Sequence, residues 1–250
     1  MTSKIAVLSD IHGNHRALEA VLEDLEKHQI KTVVNLGDAL YGPLAPEPTF
    51  QLISRHPFIS IAGNQDRFIV ENATGGDPAN ATLSFVLASL PEAALEWLRQ
   101  LDQTRVWQNM YLCHGNPQQD DLPLVEKFHR DTVVLKSQSE LEEEVKPVPQ
   151  DIILCGHTHV PRMTKLTANG KFILNPGSVG LPAYDDDSPF YHTMESGSPF
   201  AKYAIIELAE DGIGAVTQRH LRYDYEAAAQ QAERQGRSDW AYWLRSGRAK

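Results

Sequence analysis

What this chain has little of already narrows what it can be. Two cysteines in 250 residues, Cys113 and Cys155, cannot form the disulfide framework of a small secreted domain. Each lies inside an apolar run, so both are expected to be reduced, buried packing residues. No apolar stretch approaches the roughly 20 residues a membrane span requires, and the N-terminus lacks a basic region followed by an apolar segment. A soluble, cytoplasmic protein with no membrane partner is expected. Basic residues are in deficit: 23 Lys and Arg against 33 Asp and Glu leave a formal net charge of −10. That balance disfavours attraction to polymeric nucleic acid, which needs clustered Lys and Arg. It does not exclude a small anion, because bound dications would reverse the local field. Internal repeats and low-complexity linkers are absent, and a hydrophobic content of 42% is ample for a packed core. Residues 1–250 are therefore read as a single domain.

The first half alternates two hydrophobic periods. Residues 4–8 read as a strand, Leu18, Val21, Leu22 and Leu25 fall at helical spacing within 15–27, and 32–36 reads as the next strand. This βαβ opening favours parallel pairing. Residues 58–62, 110–113 and 152–155 are further runs of buried-strand length. Three prolines and a glycine make 41–48 a loop before a short helix at 49–54. Residues 66–102 are mostly helical in pattern, broken by a turn at Gly75, Gly76 and Pro78, with Pro91 as the first residue of a helix through Leu101. In the second half, 172–174, 202–208 and 215–220 are strand-like, Asp211 and Gly212 mark a turn between the last two, and 223–235 and 239–244 read as closing helices. The expectation is two β layers covered by helices. Residues 180–200 hold three consecutive aspartates, three prolines and no apolar periodicity, and are expected to form a long exposed loop insertion.

The chemistry-bearing side chains stand just after the apolar runs. Asp10, His12, Asp38, Asn64, His114, His157 and His159 all occupy such strand ends, which gather on one edge in a layered α/β protein. Residues two apart on an extended segment point the same way, so Asp10 and His12 can meet one ion, and His157 and His159 repeat the geometry. Asp38 carries two oxygens and can bridge cations about 3.5 to 4 Å apart. Asn64 offers an amide oxygen, and the adjoining Gly37 and Gly63 permit close backbone approach. Such mixed oxygen and imidazole ligation suits Mn, Fe, Zn or Ni. Without a ligand, four imidazoles at strand ends would be a costly set of buried polar groups. His28 and His220 read as ordinary exposed residues.

The ordered set Asp10-x-His12, Gly37-Asp38, Gly63-Asn64, His114-Gly115 and Gly156-His157-Thr158-His159 resembles the calcineurin-like metallophosphoesterase superfamily. Asn175-Pro176-Gly177-Ser178 and the Tyr223-Asp224-Tyr225 helix start resemble a bacterial branch of small phosphodiesterases and phosphatases. The resemblance implies an α/β fold, a four-layer αββα sandwich with two facing mixed β-sheets and a dinuclear centre at strand C-terminal ends. It implies two divalent or trivalent metal ions, one held by Asp10, His12 and His159, the other by Asn64, His114 and His157, with Asp38 shared. The implied reaction is phosphate-ester hydrolysis by in-line attack of a metal-bridging hydroxide, and in this chain Asp38, Asn64 and Gln65 are the catalytic candidates.

One position departs from the family pattern. Most members carry His after the Asn ligand, where it can protonate the leaving group, whereas here Gln65 follows Asn64. Gln cannot act as a general acid, but its amide can hydrogen-bond a phosphoryl oxygen. His192 and His15 are the alternative proton sources. Asn14, Gln65 and His192 are the candidate substrate contacts, and Asn14 also reads as a helix N-cap, a position that attracts anions. Asp66 is expected to orient Gln65 or a ligand, or to serve the helix N-terminus. Asp185 to Asp187 would repel a phosphate, so they are expected to face solvent or a third cation. The leading function is a phosphodiesterase acting on a small or nucleotide-like phosphorylated substrate. A serine/threonine protein or monoester phosphatase, and a non-catalytic binding scaffold on the same fold, are the alternatives.

Overall fold

Alternation within the first strand, β1 (Ser3–Leu8), sends its side chains into two different cores. Ile5 and Val7 enter one apolar cluster, while Ala6 and Leu8 enter another on the opposite face. The computed structural model describes residues 3–75, 79–130, 132–210 and 212–249.

In chain order, α1 (His15–Lys27) leads to β2 (Thr32–Asn35), α2 (Pro46–Ser54) leads to β3 (Ile59–Ser60), and α3 (Asn64–Glu71), α4 (Ala81–Ser89) and α5 (Glu92–Arg99) follow. Then come β4 (Thr104–Trp107), β5 (Met110–Cys113), the antiparallel pair β6 (Glu126–His129) and β7 (Thr132–Leu135), and α6 (Gln138–Glu144). The remaining strands are β8 (Ile152–Leu154), β9 (Arg162–Lys165), β10 (Phe172–Asn175), β11 (Ala183–Asp186), β12 (His192–Glu195), β13 (Ala201–Ala209) and β14 (Gly212–Leu221). Helices α7 (Tyr225–Arg234) and α8 (Ser238–Ser246) complete the order.

Two five-stranded mixed sheets result, β14-β13-β1-β2-β3 and β4-β5-β8-β10-β9. In the first, β1, β2 and β3 run parallel and β13 antiparallel to β1. In the second, β5, β8 and β10 are parallel, with β4 and β9 antiparallel at the edges. Ile5, Val7, Val34 and Ile206 of the first sheet share a buried cluster with Leu112, Ile152, Leu154 and Leu174 of the second, so the sheets face each other. Helix α1 buries Ala17, Leu18, Val21 and Leu25 on the outer face of the first sheet, and Leu141 and Val145 pack with Ile153 and Ile173 on the outer face of the second. This is the expected αββα layering. Cys113 and Cys155 are free and buried in the last cluster. Among the described residues, no helix is long and apolar enough to cross a membrane.

Three expectations change. Residues 180–200 are not a structureless loop: β11 and β12 pair antiparallel, and Leu181, Ala183, His192 and Met194 are buried. Their strands are four residues long and largely polar, too short for alternation to register. Pro91 caps α5 rather than opening it. Strands β4, β6, β7 and β9 and helix α6 were not anticipated, being short and burying at most one residue each. Gly76, Pro78 and Asp211, expected in turns, lie outside the described residues.

One polar link ties α1 to the first sheet. Asp24 accepts hydrogen bonds from the Tyr203 hydroxyl at 2.6 Å and from Arg219 Nε and Nη2 at 3.0 and 2.9 Å. Burial works against the ionised Asp24, but the Arg219 and Tyr203 hydrogen bonds outweigh it and lower its pKa. Asp24→Asn is expected to cost about 2 kcal/mol at pH 7, the scale of hydrogen bonds to a charged group. Because the folded pKa lies below the unfolded value of about 3.9, the contribution is complete above that pH and is lost as pH falls through the folded value. Denaturant unfolding of the two proteins should therefore differ at pH 7, begin to converge as pH falls below about 4 and meet once pH is below the folded pKa.

Candidate metal centre

Five of the six parallel strands, all but β10, end in a turn that carries one or two of the expected ligands. Asp10 and His12 follow β1, Asp38 follows β2, Asn64 opens α3 after β3, His114 follows β5, and His157 and His159 follow β8. The two sheets thus deliver their C-terminal ends to one edge. Eight non-glycine residues among those described have left-handed φ, and five of them are Asp10 (55°), His12 (52°), Asp38 (54°), His157 (68°) and His159 (61°). Such conformations cost about 1–3 kcal/mol each and persist where the surroundings over-determine them. Here backbone ties do so: Asp10 N–H donates to Gly37 O at 3.0 Å, His12 N–H to Asp38 O at 2.9 Å and Gly156 N–H to His114 O at 2.7 Å.

The side chains converge closely. His159 Nε2 lies 3.3 Å from Asp10 Oδ1 and 3.1 Å from His12 Nε2, which is itself 4.0 Å from Asp10 Oδ1. His114 Nε2 lies 3.3 Å from Asp38 Oδ2 and 3.8 Å from Asp10 Oδ1. Asp10, His12 and His159 form one group able to hold a cation, and Asp10, Asp38 and His114 form a second. His157 stands edge-on to His114 with ring centroids 5.4 Å apart. The far nitrogens are tied back: His12 Nδ1 lies 2.9 Å from Tyr41 O and His114 Nδ1 2.7 Å from Leu36 O, which fixes the rings and turns Nε2 inward.

Two features fit a pair of cations. Both Asp10 carboxylate oxygens, Asn64 Oδ1 and His114 Nε2 are buried with no hydrogen-bond partner among the described residues. Buried polar atoms in native proteins are almost always satisfied, so unsatisfied acceptors facing one point call for a ligand. The glycines beside them admit no side chain: a Cβ on Gly63 would stand 2.1 Å from Asp38 Oδ1, and one on Gly156 3.1 Å from Asp10 Oδ2.

The electrostatics are those of a charge cluster without counter-ions. Burial opposes ionisation of Asp10, yet His159, His114 and His12 hold its pKa well below the usual carboxylate range. Burial alone would depress His114, but Asp38 and Asp10 push it up to about 10. Burial, then the neighbouring imidazoles, lower His12 and His157 to about 4, leaving both neutral and competent to ligate at neutral pH. Asp66, raised to about 7 by burial and then by Asp38, accepts from the backbone N–H groups of Ala39 and Gly63 and so ties the Asp38 and Asn64 turns together.

The remaining expected residues divide. Gln65 lines the cleft over the cluster, and its backbone N–H donates to Asp38 Oδ1 at 2.8 Å. Asn14 caps α1 by accepting from Ala17 N–H, while its amide donates to Gly180 O and the Tyr223 hydroxyl, so its side chain is fully engaged in scaffolding. His192 packs against Phe128 and Tyr184 with its Nδ1 near Phe190 O, behind the cleft wall rather than in it. Asp186 and Asp187 are exposed, yet Asp185 and Asp186 line the cleft, a correction to the expectation that this run faces only solvent or a cation. Tyr41, Leu181, Tyr184, Arg237, Trp240 and Trp243 also line it and were not anticipated. Trp240 and Trp243 read in sequence only as the apolar stripe of a closing helix.

The cleft holds about 170 Å³. A larger groove of about 880 Å³ lies between α1 and α2 over Leu22, Leu52 and Phe58, away from the ligand turns. Chemistry, not size, places the site.

The calcineurin-like phosphoesterase superfamily domain matches residues 4–198. An uncharacterised protein of Methanocaldococcus jannaschii is 26% identical over 208 residues, which span 72% of this chain and 77% of that one. A metallophosphoesterase from Sphaerobacter thermophilus has a TM-score of 0.76 at 23% identity, covering 99% of this chain and 100% of its own. A hypothetical protein from Pyrococcus horikoshii gives the same TM-score and coverage at 20% identity. At these identities the two structures show the shared fold.

Proposed function

The chain belongs to the calcineurin-like phosphoesterase superfamily, and from that premise we propose that it is a dinuclear-metal phosphodiesterase acting on a small or nucleotide-like substrate in the cytoplasm. The observation that carries this reading is the convergence of Asp10, His12, Asp38, His114 and His159 with buried, unsatisfied acceptors. Asp10, His12 and His159 would hold one ion, Asn64, His114 and His157 the other, and Asp38 both. Cations bound there supply neutralisation of phosphoryl charge and activation of water near neutral pH. Mixed oxygen and nitrogen donors suit Mn, Fe, Zn or Ni.

The chain's own groups shape the rest. The Gln65 amide, at the cleft wall, is a hydrogen-bond donor for a phosphoryl oxygen. Tyr41, Tyr184 and Trp240 line the cleft, and its small volume favours a compact phosphoester over a protein surface. Dialysis against a chelator should abolish hydrolysis of bis(p-nitrophenyl) phosphate, and Mn should restore it, with diesters turned over faster than alkyl monoesters. Activity indifferent to chelation, or confined to monoesters and phosphoproteins, contradicts the reading.

Gln65 sharpens it. General acid catalysis is worth about 10²- to 10⁴-fold, so its loss penalises poor leaving groups most. Rates across aryl and alkyl esters should fall steeply as leaving-group pKa rises, and Gln65→His should flatten that slope. A flat dependence in the wild type would instead mean that another group donates the proton.

A further inference from the structure

We infer that the segment 175–180, directly after β10, is the positioning element of the metal centre: it clasps the turn bearing Asp10 and His12 to the turn bearing His157 and His159. The inference rests on the metal reading above and concerns residues outside the ligand set.

The two turns come from different sheets, β1 in one and β8 in the other, yet His12 and His159 must present their Nε2 atoms 3.1 Å apart. The segment holds both. Asn175, buried to 1% exposure, donates through Nδ2 to Gly156 O at 2.6 Å and to Thr158 Oγ1 at 3.1 Å, while its Oδ1 accepts from Gly177 N–H at 2.8 Å. Those partners flank His157, in the turn whose two imidazoles have left-handed backbone. Three residues on, the Ser178 hydroxyl donates to Asp10 O at 2.8 Å and accepts from Leu181 N–H at 2.8 Å. Val179 N–H donates to Ser9 O and Gly180 N–H to Asp10 O, both at 3.0 Å. Two donors from one segment therefore fix the carbonyl of Asp10, itself at φ 55°. The fit depends on Gly180, where a Cβ would stand 1.7 Å from Ile11 O.

The clasp acts unequally on the two cation groups. Asp10, His12 and His159, proposed for the first ion, all sit on turns it grips, and of the second ion's proposed ligands only His157 does. Asp38 and His114 are held from elsewhere, by Gln65 N–H and by Leu36 O. By the proposed ligand set, Ser178, on the Asp10 turn, therefore governs the first site and leaves the second close to unchanged, whereas Asn175, whose partners flank His157 as well as leading to His159, bears on both.

The test is calorimetric titration of the metal-free protein with Mn, beside thermal melting of the same samples. Wild type should take up two ions, and His159→Ala identifies which transition belongs to the first site. Ser178→Ala and the near-isosteric Asn175→Asp should each weaken that transition by about 10- to 100-fold, the scale seen when a partner that orients a ligand is removed. In Ser178→Ala the other transition should stay within about threefold, whereas in Asn175→Asp it should weaken too, through His157, but by less than the first. Both transitions weakening equally in Ser178→Ala, in step with a lower melting temperature, would reduce the segment to a structural role and overturn the inference. Unchanged affinities in both variants would do the same. A wild type that binds no Mn would overturn the metal reading itself, a result separate from either of these.

Discussion

Asp38→Asn is expected to lower kcat/KM for a phosphodiester by at least about 10³-fold, since removal of one preorganised electrostatic partner already costs about 10²- to 10³-fold and this carboxylate is the one proposed to contact both ions. The substitution is nearly isosteric, so the packing around the 2% exposed side chain survives. The chemistry does not. Oδ1 keeps its hydrogen bond from Gln65 N–H, but Oδ2, 3.3 Å from His114 Nε2 and 3.8 Å from His12 Nε2, becomes a neutral amide group. The carboxylate that raises His114 against its burial is lost, and so is the one residue proposed to bridge the ions. Metal content measured alongside the rate should fall in parallel. A binding scaffold that had kept this fold without catalysis would tolerate the change, so the same variant separates that class from an enzyme.

Gly63→Ala should be nearly as damaging by a different route. The added Cβ would meet Asp38 Oδ1 at 2.1 Å and Asp38 N at 2.5 Å, so both the side chain and its backbone must move. Overpacking of this kind costs about 1–3 kcal/mol, which for a chain of this size lowers the melting temperature by several degrees, at about 2–4 °C per kcal/mol. The displacement falls on the Asp38 carboxylate, proposed to contact both ions, so activity should drop by about 10²-fold or more. Gly75→Ala is the control, because a Cβ there meets nothing within 4 Å. Its melting temperature and rate should match the wild type. Equal behaviour of the two variants would show that the Asp38 and Asn64 turns have room to separate.

The convergence of Asp10, His12, Asp38, His114 and His159 was legible because each follows an apolar run and chain order alone puts parallel strand ends on one edge. Leu8, Leu36 and Leu154 are apolar for the packing between layers, and the polar residues just beyond them stand out against that background. The left-handed backbone at Asp10, His12, Asp38, His157 and His159 was not legible, because none is glycine and the strain is imposed by contacts distant in sequence. The cleft walls escaped for the same reason. Trp240 of α8 reaches the edge of His12 at 5.8 Å between ring centroids across more than two hundred residues, and no local period announces it. Nor did local pattern reveal β11 and β12, whose short polar strands bring Tyr184 to 4.7 Å from the His159 ring.

The most direct measurement is an anomalous difference map from crystals grown with Mn. Two peaks about 3.5 to 4 Å apart are expected, with Asp38 contacting both, and with Asp10, His12 and His159 on one side and Asn64, His114 and His157 on the other. No peak among these residues, or a single peak that Asp38 does not touch, would contradict the account.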